Sequence, residues 1–209
     1  KSGSGFVSAN AQALQQYDLL SVTPTTEAAF QHACITLSEL KPFSIDIISL
    51  DLAAAPRLPF YLKRSTVGAA LANGVVFEIT YGAAIASTQD TLDVSTARRN
   101  LFAGARDLLR ATNGKGVIIS SSALDALGVR APYDVMNLAA LMGMTPNAAK
   151  DAISTTCQSL VIRAETRQTF RGTISKPYVL PGEHKPALGM DESTKRRAKR
   201  KLSNDDECT

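Results

Sequence analysis

Four short runs of aliphatic and β-branched residues, at 17–23, 46–52, 75–81 and 117–121, are each bounded by turn residues, and helical patterns lie between them. This alternation constrains the fold more than any other feature. Strands that read as unbroken apolar runs are covered on both faces, and strand–helix alternation joins such strands in parallel. The fold class is therefore α/β with a mostly parallel sheet. A complete eight-stranded (β/α) barrel takes about 250 residues. With 209 residues and four such strands between 17 and 176, the sheet is either small and open or part of a larger barrel.

The intervening segments carry helix signals of their own. Thr25-Thr26-Glu27 caps a helix running to about residue 40, with Ala29, Ala33 and Leu37 on one side. A shorter helix at 66–73 stops at Asn73-Gly74. The pattern is clearest at 94–112, where Val94, Ala97, Leu101, Ala105 and Leu108 form a core stripe that ends at Asn113-Gly114. Proline-initiated helices follow at 132–142 and 146–156, the second capped by Thr145. Residues 1–16 read as a lead-in. From Pro177 the composition changes to Pro-Gly breaks and then charge blocks of opposite sign, so 177–209 reads as a disordered, solvated tail.

Charge matters here through its position. The 23 basic and 19 acidic residues give +4. The helix at 94–112 places Arg99, Arg106 and Arg110 at separations of seven and four, with Arg98 beside them and only Asp107 opposing. Arginine offers a rigid fork of donors suited to phosphates, so this face is a candidate for RNA backbone. Lys63, Arg64, Lys115, Arg130, Arg167 and Arg171 stand at loops and element ends and join the candidate set. In the tail, Lys195, Arg196, Arg197, Lys199, Arg200 and Lys201 form KRRAKRK, which reads as a nuclear localisation signal or an additional RNA arm.

Signals for catalysis are weak. Barrel phosphoesterases hold metals with clustered His, Asp and Glu at strand ends. The chain has two histidines, His32 within a predicted helix and His184 in the tail, so no metal site is expected. Glu78 lies on the strand face opposite Phe77 and Ile79, and is expected to pair with an interior arginine such as Arg64 or Arg130. Ser120, Ser121 and Ser122 lack a Gly-x-Ser-x-Gly setting and a histidine base. Gly114-Lys115-Gly116 lacks the spacer of a P-loop. Cys34, Cys157 and Cys208 are too scattered for a disulfide framework or a zinc site, which suits a reducing compartment. No apolar run is long enough to span a membrane.

Several stretches occurring in order carry a resemblance: LPFYLKR at 58–64, GVVFEITYGAAI at 74–85, ARRN at 97–100, GKGVIISSSA at 114–123, VRAPYDVMNLAALMG at 129–143 and AETRQTFRG at 164–172. Together they resemble the roughly 30 kDa protein subunit of nuclear and archaeal-type ribonuclease P and of ribonuclease MRP, over about 17–175. Two elements depart from the family pattern. Gly-Glu-Thr-Arg-Lys appears as Ala164-Glu165-Thr166-Arg167-Gln168, and Arg-Gly-Pro-Tyr as Arg130-Ala131-Pro132-Tyr133.

The resemblance implies a TIM-like (β/α) barrel related to the polymerase-and-histidinol-phosphatase barrel. Family members begin with further strands before the segment matching Tyr17, so the chain is expected to lack the front of that barrel. It also implies a non-catalytic subunit that supports removal of the 5′ leader of precursor tRNA, and rRNA processing. The implied partners are ribonuclease P RNA, MRP RNA, precursor tRNA indirectly, and companion subunits including a small ferredoxin-like one. No cofactor is expected on the protein, magnesium belonging to the RNA component, and no membrane partner. Location in the nucleus and nucleolus follows. The alternatives are a metal-dependent barrel phosphoesterase and a pure protein scaffold whose arginines meet acidic subunits.

Overall fold

The β-branched runs pair side by side in chain order. In the computed structural model, which describes residues 5–39, 44–85, 93–123 and 125–168, strands β1 (Ser21–Val22), β2 (Ile47–Leu50), β3 (Val76–Thr80) and β4 (Val117–Ser120) form one sheet in the order β1-β2-β3-β4. Every pairing is parallel, with Ile47 opposite Ser21 and Val76, and Phe77 opposite Val117. The chain divides into two units, Lys1–Ile174 and Ser175–Thr209. Arg171, the 177–209 tail and its Lys195–Lys201 cluster lie outside the described residues.

The helices are α1 (Ala11–Leu14), α2 (Glu27–His32, continued as a π-helical turn over Ala33–Leu37), α3 (Arg64–Ala72), α4 (Val94–Thr112), α5 (Pro132–Met142), α6 (Pro146–Ile153) and α7 (Thr155–Gln168). Thr26 caps α2 by accepting from the Ala29 amide, and Thr145 caps α6 by accepting from Ala148. Asn113, in the left-handed region at φ 53°, ends α4, and Gly143 ends α5.

Strand alternation sorts the two sheet faces. Ile48, Leu50, Val75, Phe77, Ile79, Val117 and Ile119 join the main core with residues of α2 to α6, among them Phe30, Val67, Leu101, Leu108 and Ala139. On the far face Ile47, Val76 and Ile118 pack with Cys157 and Leu160 of α7. Beyond them toward the strand C-termini that face turns polar, with Ser49, Glu78, Thr80 and Ser120 half-buried. Gly82 follows β3 at a close crossing. A Cβ there would collide with the Ser121 carbonyl oxygen, so the Tyr-Gly step lets the chain leave β3 against the end of β4.

Helix α7 is fastened to the sheet by charge. Asp46, fully buried at the foot of β2, receives Arg167 Nη1 on Oδ1 at 2.8 Å and Nη2 on Oδ2 at 2.9 Å, and the Leu20 amide on Oδ2 at 3.0 Å. The same guanidinium donates to the Ser44 and Asp18 carbonyl oxygens. One side chain thus joins α7 to the entries of β1 and β2. Arg163, one turn earlier, packs on Gly74 with Nη1 buried and without a partner among the described residues. Burial pushes its guanidinium below the ordinary arginine range, Asp46 opposes that, and Arg167 adds to it.

The structure departs from the sequence expectations in four places. The strand expected over 17–23 is only Ser21–Val22, with Tyr17 and Leu19 exposed before it. The lead-in contains a 3-10 turn (Ser8–Asn10) and α1, with the Asn10 side-chain amide donating to the Gly5 carbonyl. The helix expected over 146–156 breaks at Ser154 (φ −131°, ψ −83°), and a separate helix, α7, continues to Gln168. Glu78 accepts from the Ser120 hydroxyl at 2.6 Å, so its partner is a neighbouring strand's serine rather than Arg64 or Arg130. A hydroxyl across the β3–β4 pair meets the carboxylate's need for a donor without burying a second charge. Among the described residues no helix is long and apolar enough to cross a membrane.

Removing one partner of a buried ion pair leaves an uncompensated charge, so Arg167→Ala is expected to destabilise the chain by about 3–5 kcal/mol. In urea unfolding, the Asp46→Leu/Arg167→Leu double variant is expected to be less destabilised than Arg167→Ala. Burial pushes the Cys34 thiol up to about 12, so in the folded chain at pH 8 Cys34 is expected to resist alkylation by iodoacetamide, and to react once urea unfolds it. Mass spectrometry of labelled peptides checks this directly.

Candidate nucleic-acid interface

Helix α4 owes its position to its apolar stripe. Ala97, Leu101, Ala105 and Leu108 are buried against the sheet, which leaves the opposite face outward. At 3.6 residues per turn, Arg99, Arg106 and Arg110 fall within about 40° of one another around the helix, along about 16 Å of its axis. All three are exposed. They form a ridge. Arg98 points elsewhere: its Nε donates to the Ala84 carbonyl at 2.7 Å and ties the start of α4 to the turn after β3. Asp107 stands 3.6 Å from Arg110 in a pair whose side chains are 63% and 77% exposed. Such a pair is worth at most about 1 kcal/mol and leaves Arg110 available to a phosphate.

The ridge is bordered by two clefts. On one side, a cleft of about 610 Å³ lies between α4 and the β2–α3 connection, with Arg57, Tyr61, Arg64 and Arg110 on its walls. On the other, a smaller one of about 340 Å³ runs between the end of α4, with Arg106 and Arg110, and the α5–α6 junction at Gly143 to Thr145. The larger cleft has fixed walls. Asn100 of α4, buried, donates to the Ala53 carbonyl at 3.1 Å, and the Phe60 ring stacks on Phe30 of α2 at 4.8 Å. Lys63, at the entry to α3, reaches Glu27 of α2 at 3.2 Å.

The remaining candidate cations do not join this surface. Arg130 is exposed near the C-terminal ends of the strands, where its backbone amide donates to the Tyr81 hydroxyl. Lys115 is exposed at the opposite end, in the turn entering β4. Arg167 has its charge answered by Asp46 within the fold and is a structural clamp. The structure therefore brings Arg64, Arg106 and Arg110 into one region with Arg99, turns Arg98, Arg130 and Arg167 elsewhere, and leaves Lys115 beside Gly114 at the edge of the smaller cleft. Arg57 and Tyr61 belong to the region but carry no periodic signal. Tyr61 lies inside LPFYLKR, whose in/out alternation is its only trace in the sequence.

Metal-ligating types do not gather. Among the described residues no three His, Cys, Asp or Glu side chains are placed to hold a metal ion. Asp51 accepts from the Ala54 amide, Glu78 from Ser120, and His32 ends α2. What this surface offers is exposed cationic donors and an exposed aromatic ring.

The sequence family described as RNase P subunit p30 matches residues 2–169. The chain belongs to this family. Ribonuclease P protein subunit p30 of Mus musculus is 37% identical over 188 residues, covering 88% of this chain and 62% of that protein. The probable ribonuclease P protein subunit 3 of Schizosaccharomyces pombe is 34% identical over 162 residues, covering 77% and 63%. The chain thus spans less than two thirds of these relatives' length. A chain in a cryo-EM structure of archaeal ribonuclease P with mature tRNA has the same fold at TM-score 0.60 and 14% identity, over 88% of this chain and 74% of that one.

Proposed function

We propose that this chain is the RNA-facing part of a non-catalytic protein subunit of ribonuclease P and its MRP relative, supporting removal of the 5′ leader of precursor tRNA. The observation that carries the reading is the α4 ridge, three arginines on one exposed helix face with a single surface carboxylate beside them, in a chain of the p30 family. A row of guanidinium groups attracts phosphates whatever the sequence and releases their counterions, as a scaffold for a folded RNA requires. The phosphodiester chemistry is assigned to the RNA and its magnesium, with no cofactor on the protein.

Companion subunits, a small ferredoxin-like one among them, occupy other faces, and the assembly works in the nucleus and nucleolus. The four-stranded sheet is read as a portion of a (β/α) barrel of the polymerase-and-histidinol-phosphatase type. Helices α2 to α6 covering one face, and the polar Ser49, Glu78, Thr80 and Ser120 beyond α7 on the other, suit a barrel interior near its C-terminal mouth.

The test is electrostatic. Binding of the chain to a structured RNA, followed by fluorescence anisotropy from 50 to 300 mM salt, is expected to weaken steeply. The Arg99→Gln/Arg106→Gln/Arg110→Gln variant is expected to reduce the slope of log affinity against log salt by about 0.9 for each phosphate that is no longer neutralised, with its urea midpoint unchanged because all three side chains are exposed. An unchanged slope removes the ridge as the RNA contact. Binding to acidic subunits but to no RNA selects the protein-scaffold reading.

A further inference from the structure

Tyr61 is 76% exposed although the residues on either side of it, Phe60 and Leu62, are buried. From Leu58 to Lys63 the chain alternates: Leu58, Phe60 and Leu62 turn inward, while Pro59, Tyr61 and Lys63 turn outward. Phe60 is stacked on Phe30 at 4.8 Å, so the segment is anchored from beneath and Tyr61 is held out by a rigid support. An aromatic ring kept in water on an ordered backbone has its ordering cost already met before any ligand arrives.

The ring borders the cleft of about 610 Å³ beside α4. Gly104 of α4 lines it beside Leu52, and a Cβ there would come within 3.0–3.1 Å of the Leu52 side chain, so the glycine lets α4 pack close at the cleft floor. Charge in the cleft is asymmetric. Glu27 is met by Lys63 and Asp107 by Arg110, whereas Arg57 and Arg64 have no acidic partner among the described residues. A space of this size fits a small planar ligand, bordered by one exposed π face and two free guanidinium groups. Nucleic acid supplies both complements, but only where a base is out of its helix, because a paired and stacked base hides its faces.

We propose that this cleft receives one unpaired nucleotide of RNA, with its base laid on Tyr61 and its phosphate held by Arg57 and Arg64. The α4 ridge contacts backbone of any sequence, while the cleft recognises a single-stranded position, so the two sites read different features of one RNA. The proposal rests on the reading of the chain as an RNA-facing subunit, and the experiment separates the two.

The 209-residue chain is titrated into a fluorescein-labelled uridine heptamer and, separately, a blunt RNA duplex. Tyr61→Ala is expected to weaken heptamer binding about 10-fold, with duplex binding unchanged. Tyr61→Phe, which keeps the ring, is expected to stay within about twofold. Arg57→Gln/Arg64→Gln is expected to lower the salt slope for the heptamer by about 0.7, the value for the one single-strand phosphate the pair holds. Equal heptamer affinity for the wild type and Tyr61→Ala, with duplex binding intact, overturns the cleft and leaves the ridge standing. Failure to bind either RNA overturns both. A polyglutamate peptide that displaces the heptamer and is indifferent to Tyr61→Ala assigns the cleft to an acidic protein segment instead, and also overturns the proposal.

Discussion

A carboxylate with no exposed surface, Asp46, sits where three parts of the chain meet, and the arrangement of the rest follows from how its charge is answered. Arg167 supplies two hydrogen bonds and the Leu20 amide a third. An unanswered charge in that position would cost several kcal/mol, which favours α7 drawn across the foot of the sheet. Leu160 and Cys157 then cover Ile47, Val76 and Ile118. With α7 on the far face, helices α2 to α6 occupy the near face, and α4 is left with one side in the core and one in water. The arginine ridge is thus a consequence of how the sheet is covered.

The two faces of the sheet express different demands. A parallel sheet tolerates little water on its apolar strands, and the near face meets this with aliphatic and aromatic side chains from five helices. The far face is apolar only beneath α7, and further along it carries Ser49, Glu78, Thr80 and Ser120. Glu78 is satisfied there by the Ser120 hydroxyl.

The strands and α4 are legible in the sequence because their signals are local. Apolar runs such as Val75 to Tyr81 and the stripe from Val94 to Leu108 repeat within the element itself. Helix α7 is hard to read: Cys157, Leu160 and Ala164 keep helical spacing, but the exposed Val161 and Ile162 beside them blur the stripe, and the break at Ser154 leaves no proline or glycine sign. The role of Arg167 is illegible for a different reason. Its partner lies 121 residues away, and nothing in Ala-Glu-Thr-Arg-Gln distinguishes an internal clamp from a phosphate contact. Of the site, the Arg99, Arg106, Arg110 spacing is readable from helical geometry. Its meeting with Arg57 and Tyr61 depends on a non-repeating connection that only the fold brings beside α4.

If α4 and the adjoining connection face RNA in the assembled particle, ultraviolet light will join them to it. Crosslinking of the particle purified through this subunit, followed by mass spectrometry of RNA-linked peptides, is then expected to give RNA adducts on peptides from 94–112 and 57–64. Adducts confined to other segments, with the α4 peptides found only in crosslinks to companion proteins, would contradict that orientation.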